Sequence, residues 1–443
     1  MIMKQLPEEA IDTYKNILNH TFSMGYFPQK FKEAKIILIP KPNKKGTDPR
    51  DYRPISLLEV PGKIYEKILN KRLRHYLESN NMFPHTQHGF RTKRGTETAL
   101  AIIQEKIANT LANKHQCYLV LRDVAKAFDK VWHNGLRYKL ANTQLPDLII
   151  KTLGSFLTQR TGKLTINNTY TGPSFPIRSG VPQGSSLSPT LYTIYTADIP
   201  QDTPGSLNMM YADDITQIIT HPSKSKNIMA RHASREIVRI NNYEKKWKIK
   251  TNTAKFKIIP LATRTTHPII IDGQVIPYTN EGTILGLHVN KQGFSSQAKI
   301  NVKKGQAALN ILQRFSELPT DIKLHLVKAY LTPALTYPSY PLNCLSKSSL
   351  RELQRTQNRA LRFAYNDRYP YQENTRTLHL RANMDTINII LYKRGQKTKE
   401  KLETTLQDRH YTDILQNYTE REHGWFRKPL KILKRNEPEP IYT

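Results

Sequence analysis

The sequence predicts an α+β fold that passes, from about residue 296, into a mostly helical and basic C-terminal region. Short apolar runs, several of them ended by proline or by an acidic residue, predict buried strands in the first 290 residues. Longer stretches with apolar residues at helical spacing lie between these runs and dominate the C-terminal region. The sequence carries no internal repeat and no low-complexity tract, so we expect ordinary globular domains.

The composition is that of a large and strongly basic chain. Its 443 residues suffice for two or three domains, and 38% hydrophobic with 23% charged residues is typical of a globular protein. The 68 Lys and Arg against 36 Asp and Glu give a formal net charge of +32, which favours a polyanionic partner. No apolar run approaches the ~20 residues that span a bilayer. Nucleic acid is therefore the expected partner rather than a membrane.

The cysteine count and the N-terminus limit the cellular setting. Cys117 and Cys344 are the only cysteines, which excludes a disulfide framework and a zinc knuckle. The first residues do not form a signal peptide. We therefore expect a reducing compartment, in the cytosol or the nucleus.

The first quarter of the chain predicts three helices and one strand. Helical spacing covers residues 7–25, 63–80 and 96–112. The first of these patterns places four apolar residues on one face, namely Ile11, Tyr14, Ile17 and Leu18. The run 34–41 is apolar and ends near a proline, which predicts a short buried strand.

The middle of the chain predicts a central strand and a strand pair. The run 117–121 is compact and apolar, and the strand it predicts ends at Asp123. Two helical stretches follow, and then two strands at 163–170 and 172–177. A glycine-bearing loop next leads into a helix over about 189–197.

The remaining patterns predict one long helix, three short strands and the helical C-terminal region. The long helix covers residues 230–247, and the strands are expected at 255–261, 269–271 and 283–289. A further helix at 348–365 carries a basic stripe, formed by Arg351, Arg355, Arg359 and Arg362. Such a stripe fits a phosphate backbone and fits an ordinary solvated face equally well, so both interpretations stay open.

Two adjacent aspartates, Asp213 and Asp214, lie between the apolar runs 207–210 and 215–219. This pattern predicts strand, tight turn and strand, with both carboxylates at the tip. Adjacent like charges repel, and a pair of Mg²⁺ ions about 4 Å apart would hold them together. An ordinary turn is the alternative, because Asp is common in turns. Asp123 favours the metal site, since a carboxylate at a strand end beside a hairpin tip is what two-metal phosphoryl transfer needs.

Further residues fit the handling of a nucleoside triphosphate. Lys41 and Arg53 offer positive charge for the phosphates, with Lys35 as a weaker candidate. Phe128 follows Asp123 by five residues, and its ring could pack beneath the sugar of a nucleotide and exclude a 2′-hydroxyl. Simple core packing is the alternative for Phe128.

The loop from Gly180 to Pro189 contains glycines and an amide side chain that could also contact a nucleotide. Gly180 and Gly184 permit a close approach of the backbone. Gln183 between them could donate a hydrogen bond to a nucleotide or to the template. Lysines and glycines of this kind are common on protein surfaces. They indicate a nucleotide-binding site only in combination with the three aspartates.

The order of these blocks resembles the reverse transcriptase of non-LTR retrotransposons, of the LINE type and especially of the jockey group. The resemblance covers nearly the whole chain. It is carried by nine blocks, namely Asp51 to Leu58, Gln87 to Arg91, Asp123 to His133, Gly180 to Pro189, Tyr211 to Asp214, Trp247 to Lys255, Ile284 to Leu287, Tyr330 to Tyr337 and Leu353 to Arg362.

The resemblance implies a right-hand polymerase fold of fingers, palm and thumb. Residues 34–290 would form the fingers and palm, after an N-terminal helical extension at 1–33 and before a helical thumb and C-terminal region at 291–443. The resemblance also implies RNA-templated DNA synthesis with two Mg²⁺ ions, for which Mn²⁺ can substitute.

The family's site positions carry over onto particular residues of this chain. The catalytic metal ligands fall on Asp123, Asp213 and Asp214. The nucleotide contacts fall on Lys41, Arg53, Phe128, Gln183 and Gly184. The template and primer contacts fall on Gln87, Gly89, Arg91, Tyr211, Ala212, Leu285 and Gly286. Lys255 lies near a lysine proposed to protonate pyrophosphate.

The implied partners are an RNA template, a DNA primer, their hybrid and dNTPs, without a membrane. The family primes synthesis at a nicked chromosomal target, and its full elements carry an endonuclease domain ahead of the polymerase. None precedes Met1, so we expect a fragment or truncated copy that does not nick its own target. We expect a ribonucleoprotein particle of the nucleus and cytoplasm, not a secreted protein.

Two alternatives to an active retrotransposon enzyme stay open. Arg122 stands where the family usually has an apolar residue, and if its side chain points toward the aspartates it would perturb the metal site. The chain would then be a nucleic-acid-binding remnant without catalysis. A cellular or intron-type reverse transcriptase is the second alternative.

Overall fold

The computed structural model describes residues 5–42, 44, 46–166, 170–200, 202–263, 266–423 and 426–442. Helices and strands alternate through the first 290 residues, and helices follow to the C-terminus, which confirms the predicted α+β class. The described residues form twelve strands, namely β1 (Glu33–Pro40), β2 (Tyr52–Leu58), β3 (Gln116–Asp123), β4 (Arg160–Ile166), β5 (Tyr170–Ile177), β6 (Ser206–Tyr211), β7 (Asp214–His221), β8 (Lys257–Leu261), β9 (Ile269–Ile271), β10 (Gln274–Ile276), β11 (Glu281–Ile284) and β12 (Leu287–Asn290).

The same residues form sixteen α-helices. They are α1 (Glu8–Ser23), α2 (Val60–Ser79), α3 (Thr96–Ala112), α4 (His133–Ala141), α5 (Asp147–Leu157), α6 (Ser188–Tyr195), α7 (Lys226–Lys246), α8 (Ser296–Leu312), α9 (Thr320–Leu326), α10 (Thr332–Thr336), α11 (Ser339–Leu342), α12 (Lys347–Tyr365), α13 (Thr375–Arg381), α14 (Ile387–Glu400), α15 (Arg409–Gln416) and α16 (Pro429–Leu433). In the described part of the chain, no helix combines the length and apolarity needed to cross a membrane.

The chain divides into two compact units. The first unit comprises Met1–Phe90, Asp123–Gln201 and Arg239–Asn252. The second unit comprises Arg91–Arg122, Asp202–Val238 and Thr253–Thr443. Each unit is therefore assembled from segments that are distant in sequence.

The first unit contains a four-stranded sheet in the order β2-β1-β4-β5. Strand β1 pairs antiparallel with β2 and parallel with β4, and β4 pairs antiparallel with β5. Helix α2 buries an apolar stripe that recurs every four residues, formed by Tyr65, Leu69, Leu73 and Leu77. Phe27 stacks on Tyr65 at 5.2 Å between ring centroids and meets Phe156 edge-on at 5.0 Å. This aromatic cluster fixes the N-terminal segment on α2 and α5.

The second unit contains a four-stranded sheet in the order β6-β7-β3-β8. Strand β3 is buried on both faces, as its unbroken apolar sequence predicts. Leu119 and Leu121 face the cluster that contains α3, and Tyr118 and Val120 face the cluster that contains α7. Helix α3 is buried almost all round, so it forms the centre of this unit rather than its surface.

The C-terminal helices pack around a second apolar cluster of the second unit. Helix α12 contributes Leu353, Ala360 and Leu361 to this cluster, while Arg351 and Arg359 on its other side are exposed. This separation is the amphipathic pattern of a surface helix.

Most predicted elements occur within a few residues of their expected bounds, but two expectations were wrong. Ile11 and Ile17 are each 49% exposed and only Leu18 of the predicted face is buried, because α1 packs on its neighbours over a narrow stripe. The strand expected at 283–289 is two strands, β11 and β12, joined by a turn. Residues 167–169 of the expected strand 163–170 lie outside the described residues.

Candidate active site

The hairpin of β6 and β7 in the second unit carries the paired aspartates. Tyr211 and Asp214 form its last cross-strand pair, which leaves Ala212 and Asp213 as a two-residue turn. Ala212 has φ of 57°, and a positive φ at the first central residue is the pattern of a type II′ hairpin turn. A non-glycine residue in this conformation is strained, and such strain concentrates at functional sites. The predicted strand, turn and strand are confirmed, with Asp213 half-buried and Asp214 exposed.

Asp123 is the last residue of β3, the strand next to β7 in the sheet. The segment that follows α7 holds this strand end in place. Asn252 donates its backbone N–H to the Asp123 carbonyl at 2.7 Å and its Nδ2 to the Asp123 Oδ2 at 3.3 Å. Ala125 N–H then donates to the Lys250 carbonyl at 2.7 Å. The Asp123 carboxylate therefore sits on a fixed backbone and has a polar neighbour.

Arg122 precedes Asp123 and is buried within the second unit. Its Nη2 donates to the Ile237 carbonyl on α7 at 3.0 Å, and its guanidinium lies 5.0 Å from the ring centroid of Phe256. Successive strand residues point to opposite faces, so Arg122 and Asp123 diverge. The Arg122 guanidinium thus has contacts on α7 and on Phe256, and its effect on the metal site stays a prediction.

The three aspartates offer hard oxygen ligands of the type that Mg²⁺ prefers. Their donor chemistry therefore fits a divalent cation. Among the residues the structure describes, no three His, Cys, Asp or Glu form a group close enough to hold a metal ion. The metal triad stays a prediction.

The loop after Gly180 is fastened to β2 within the first unit. Ser56 N–H donates to the Gln183 carbonyl at 2.7 Å. Gly184 has φ of +127°, and a Cβ there would lie 2.5 Å from the Ser56 carbonyl oxygen. Only glycine fits this position. Residues Gln183 and Gly184 are thereby held against the strand that carries Arg53, which is exposed.

Asp129 holds the side chain of Gln183 and is a site residue that the sequence analysis missed. The Gln183 Nε2 donates to the Asp129 Oδ1 at 2.7 Å. Burial raises the pKa of the Asp129 carboxyl, while the Gln183 hydrogen bond and the charges of Lys126 and Lys41 oppose this rise. Asp129 lies in the block from Asp123 to His133, where its position directly after Phe128 was the available signal.

Phe128 belongs to an aromatic group of the first unit. Its ring lies 5.2 Å from that of Tyr192, at an interplanar angle of 31°, and 6.3 Å from that of Phe90, edge to face. Val181 N–H donates to the Phe128 carbonyl at 2.7 Å. The half-buried ring is both packed and partly accessible, so packing and sugar exclusion remain compatible with its position.

The predicted phosphate-binding cations lie along β1 and β2. Lys41 donates its Nζ to the Arg50 carbonyl at 2.8 Å, which ties this side chain to the loop before β2. Arg53 pairs with Ile39 across the two strands, and Lys35 lies farther along β1. Arg53 and Lys35 are exposed, as an anion-binding role requires.

The predicted template and primer residues divide between the two units. In the first unit, the buried Gln87 accepts the Gly89 N–H on its Oε1 at 2.7 Å, so its amide supports a turn. Arg91 belongs to the second unit and is half-buried. The contacts of these residues with nucleic acid stay predictions. Lys255, the predicted proton donor to pyrophosphate, also lies in the second unit, is exposed and precedes β8.

The turn between β11 and β12 consists of Leu285 and Gly286, with φ of 47° and 84°. Two positive φ values in a two-residue hairpin are the pattern of a type I′ turn. Tyr337 donates its hydroxyl to the Leu285 carbonyl at 2.5 Å, and a Cβ on Gly286 would lie 2.9 Å from the Tyr337 ring. Tyr337 is a second residue missed in the sequence, although it lies in the block from Tyr330 to Tyr337.

Residues 39–289 match the reverse transcriptase (RNA-dependent DNA polymerase) family, which is more than half of the chain. The chain belongs to this family of template-directed polymerases. Family membership confirms the right-hand polymerase fold that the resemblance implied.

The relatives place the chain among the proteins of non-LTR retrotransposons, which confirms the predicted group. The chain is 31% identical to the RNA-directed DNA polymerase from mobile element jockey of Drosophila melanogaster, over 81% of this chain and 40% of that protein. It is 29% identical to the probable RNA-directed DNA polymerase from transposon BS of the same organism, over 98% of this chain and 48% of that protein. The chain thus spans less than half the length of the curated relatives it matches.

Among solved structures, the chain is similar to apo telomerase from Candida tropicalis. The similarity has a TM-score of 0.43 at 13% identity and covers 93% of this chain and 73% of that chain.

Proposed function

We propose that this chain is an RNA-directed DNA polymerase that extends a DNA primer on an RNA template. The primer 3′-oxygen would bond to the α-phosphorus of a dNTP, and pyrophosphate would leave. The observation that supports this function best is the hairpin of β6 and β7, whose turn holds the strained Ala212 and Asp213 and whose second strand begins at Asp214. Strand β7 is the sheet neighbour of the strand that ends at Asp123.

Reverse transcriptases are generally dependent on a divalent metal. We infer that Asp123, Asp213 and Asp214 would hold two Mg²⁺ ions, with Mn²⁺ as a substitute. Bound there, the ions would lower the pKa of the primer hydroxyl and neutralise the leaving pyrophosphate. The half-buried carboxylates of Asp123 and Asp213 supply the charge that such binding needs.

The nucleotide would be handled by residues of the first unit. The fixed loop at Gln183 and Gly184 presents an amide and a close backbone, which suits a hydrogen bond to a nucleotide. Arg53 offers a bidentate fork to the triphosphate, and Lys41 adds charge to the same end. The accessible part of the Phe128 ring would lie against the sugar and exclude a 2′-hydroxyl.

The second unit would grip the primer and template. The turn at Leu285 and Gly286 is rigid because Tyr337 holds it, and this rigidity supports the predicted contact with the primer end. Lys255 is exposed beside β8 and remains the proposed proton donor to pyrophosphate. An endonuclease on the rest of the element, and a ribonucleoprotein particle of nucleus and cytoplasm, stay proposals.

The test is primer extension on an RNA template with Mg²⁺ and dNTPs, comparing the unaltered chain with Asp213→Ala. We expect extension by the former only, with primer-template affinity within a few-fold in both. Asp147→Ala is the matched control, because it removes an exposed carboxylate in the first turn of α5. A chain that binds primer-template tightly but never extends it would support the remnant without catalysis. Extension by Asp213→Ala at the unaltered rate would refute the site.

A further inference from the structure

A cleft of about 700 Å³ lies in the C-terminal part of the second unit, outside the residues that match the polymerase family. It is lined by the C-terminal ends of α8 and α12 and by the loop that follows α12. Its volume falls in the range of small-molecule sites. The basic stripe on α12 reaches it, since Arg359 and Arg362 are among its lining residues.

Two tyrosines of the loop are exposed beside this cleft. Tyr369 is 85% and Tyr371 is 54% exposed. Their rings meet edge to face, with centroids 5.7 Å apart and planes at 89°. The Arg362 guanidinium lies 3.7 Å from the Tyr371 ring centroid. Planar aromatic and guanidinium surfaces of this kind are what unpaired nucleobases stack on.

The loop that presents the tyrosines is held from both sides. Arg362 forms an ion pair with Asp367 and donates to the Glu373 carbonyl at 3.2 Å. Gln372 N–H donates to the Asp367 carboxylate at 2.9 Å. The rings are therefore presented on a fixed frame, which reduces the entropy lost when a partner binds.

A buried lysine secures the start of the same loop. Lys323 is 1% exposed, and its Nζ donates to the Asn366 Oδ1 at 2.7 Å and to the Ser316 carbonyl at 3.3 Å. Asn366 ends α12 in the left-handed conformation, with φ of 56°. Lys323 thus joins the end of α12 to the segment after α8, and these two elements form the walls of the cleft.

The charge of the cleft suits an anionic partner. Arg359 and Arg368 line it and are exposed, while the one carboxylate among its lining residues, Asp367, is paired with Arg362. Gln306 and Asn310 on α8 add amide groups that can donate to and accept from a ribose 2′-hydroxyl. Aromatic rings for a base, exposed arginines for phosphates and amides for a 2′-hydroxyl are together the groups that would bind a ribonucleotide.

We propose that this cleft binds an unpaired nucleotide of single-stranded RNA. A base stacks on the exposed ring of Tyr369, which Tyr371 supports edge to face, and the flanking phosphates contact Arg359 and Arg368. A base pair within a duplex has its faces covered by its neighbours, so the cleft selects an unpaired segment. This site anchors RNA outside the polymerase site and does not depend on catalysis there.

The test measures binding of a short, unstructured, fluorescently labelled RNA by anisotropy, with the full chain. Tyr369→Ala should weaken binding by about 5- to 100-fold, as expected for loss of one stacked base. Tyr371→Ala should also weaken binding, because it removes the ring that supports Tyr369. Tyr371→Phe should bind as the unaltered chain does, since it keeps the ring. Tyr330→Ala is the matched control, because Tyr330 is 51% exposed in the same helical region but does not line the cleft.

Further arms of the experiment identify the ligand. Arg359→Gln and Arg368→Gln should each make the negative slope of log affinity against log salt shallower by about 0.7. RNA with photoreactive uridines should cross-link the unaltered chain within the loop that carries Tyr369 and Tyr371, a measurement that needs no variant to fold. Primer extension on a short template should be unchanged in every variant, which separates this site from the proposed polymerase site.

The proposal is overturned if the tyrosine variants bind RNA as tightly as Tyr330→Ala does, or if cross-links avoid the loop. If the tyrosine substitutions weaken the binding of single-stranded DNA of the same sequence as much as they weaken the binding of RNA, the assignment to RNA is overturned. If the same substitutions weaken the binding of an RNA duplex as much as that of single-stranded RNA, the assignment to an unpaired nucleotide is overturned.

Discussion

The hydrogen bond between Asp129 and Gln183 offers a quantitative test of how the first unit positions a nucleotide. Asp129→Ala removes the acceptor of the 2.7 Å bond and leaves the Gln183 amide free to rotate. A hydrogen bond to a charged group contributes about 1.5–3 kcal/mol. If Gln183 contacts the nucleotide only when so oriented, kcat/KM for a dNTP should fall by about 10- to 150-fold.

A double-mutant cycle with Gln183→Ala isolates this positioning effect. Once the amide is absent, Asp129 has nothing to orient, so the double variant should be no worse than Gln183→Ala alone. The coupling energy should then be about 1.5–3 kcal/mol. Asp129→Asn keeps an acceptor oxygen and should recover part of the activity, and Asp147→Ala should have no effect.

Single-nucleotide incorporation by the full chain on an RNA template measures all four corners of the cycle. The loss should appear mainly in KM for the dNTP if Gln183 acts in binding. Losses that add, with no coupling between Asp129 and Gln183, would refute the positioning role of Asp129.

Two further predictions concern sugar selection and pH. Phe128→Ala should admit ribonucleotides, seen as a fall in the ratio of dNTP to rNTP kcat/KM; an unchanged ratio would make Phe128 mere packing. Burial raises the pKa of Glu105 from 4.5 to about 7, so the folded state retains a proton that the unfolded state releases, and stability falls as pH rises through that window. The free energy of unfolding of Glu105→Gln, minus that of the unaltered chain, should therefore be larger at pH 8 than at pH 4.5 by up to about 3 kcal/mol. Melting temperatures at both pH values measure this gain, with Glu400→Gln, at an exposed position, as control. The same difference in melting temperature between Glu105→Gln and the unaltered chain at both pH values would contradict the prediction.

The elements that the sequence predicts best are those with an unbroken local pattern. Helix α3 occurs at Thr96–Ala112 as expected, and the hairpin at Asp213 turns where expected. Their apolar residues are periodic over enough positions to determine both type and bounds. The exposure of Ile11 and Ile17 could not be predicted, because periodicity gives a face but not whether another element covers it.

The parts of the site that escaped prediction depend on contacts between distant segments. Asp129 and Gln183 are 54 residues apart, and Tyr337 and Leu285 are 52 apart. Each pair meets because loops are brought together by packing, and neither residue type nor local spacing records such a meeting. The direction of Arg122 was open for the same reason, since its partner on α7 is 115 residues away.

The burial of α3 has a consequence for how the protein is made. Glu105 on this helix accepts the Leu430 N–H at 2.6 Å, and Asn109 donates to the Asn417 carbonyl at 2.9 Å. Glu105 and Leu430 are 325 residues apart, so at ~5–20 residues per second the ribosome delivers the second about 15 to 65 seconds after the first. During that interval α3, which is buried almost all round in the folded unit, lacks these partners. Newly made chains should therefore bind chaperones at least until Leu430 has been synthesised.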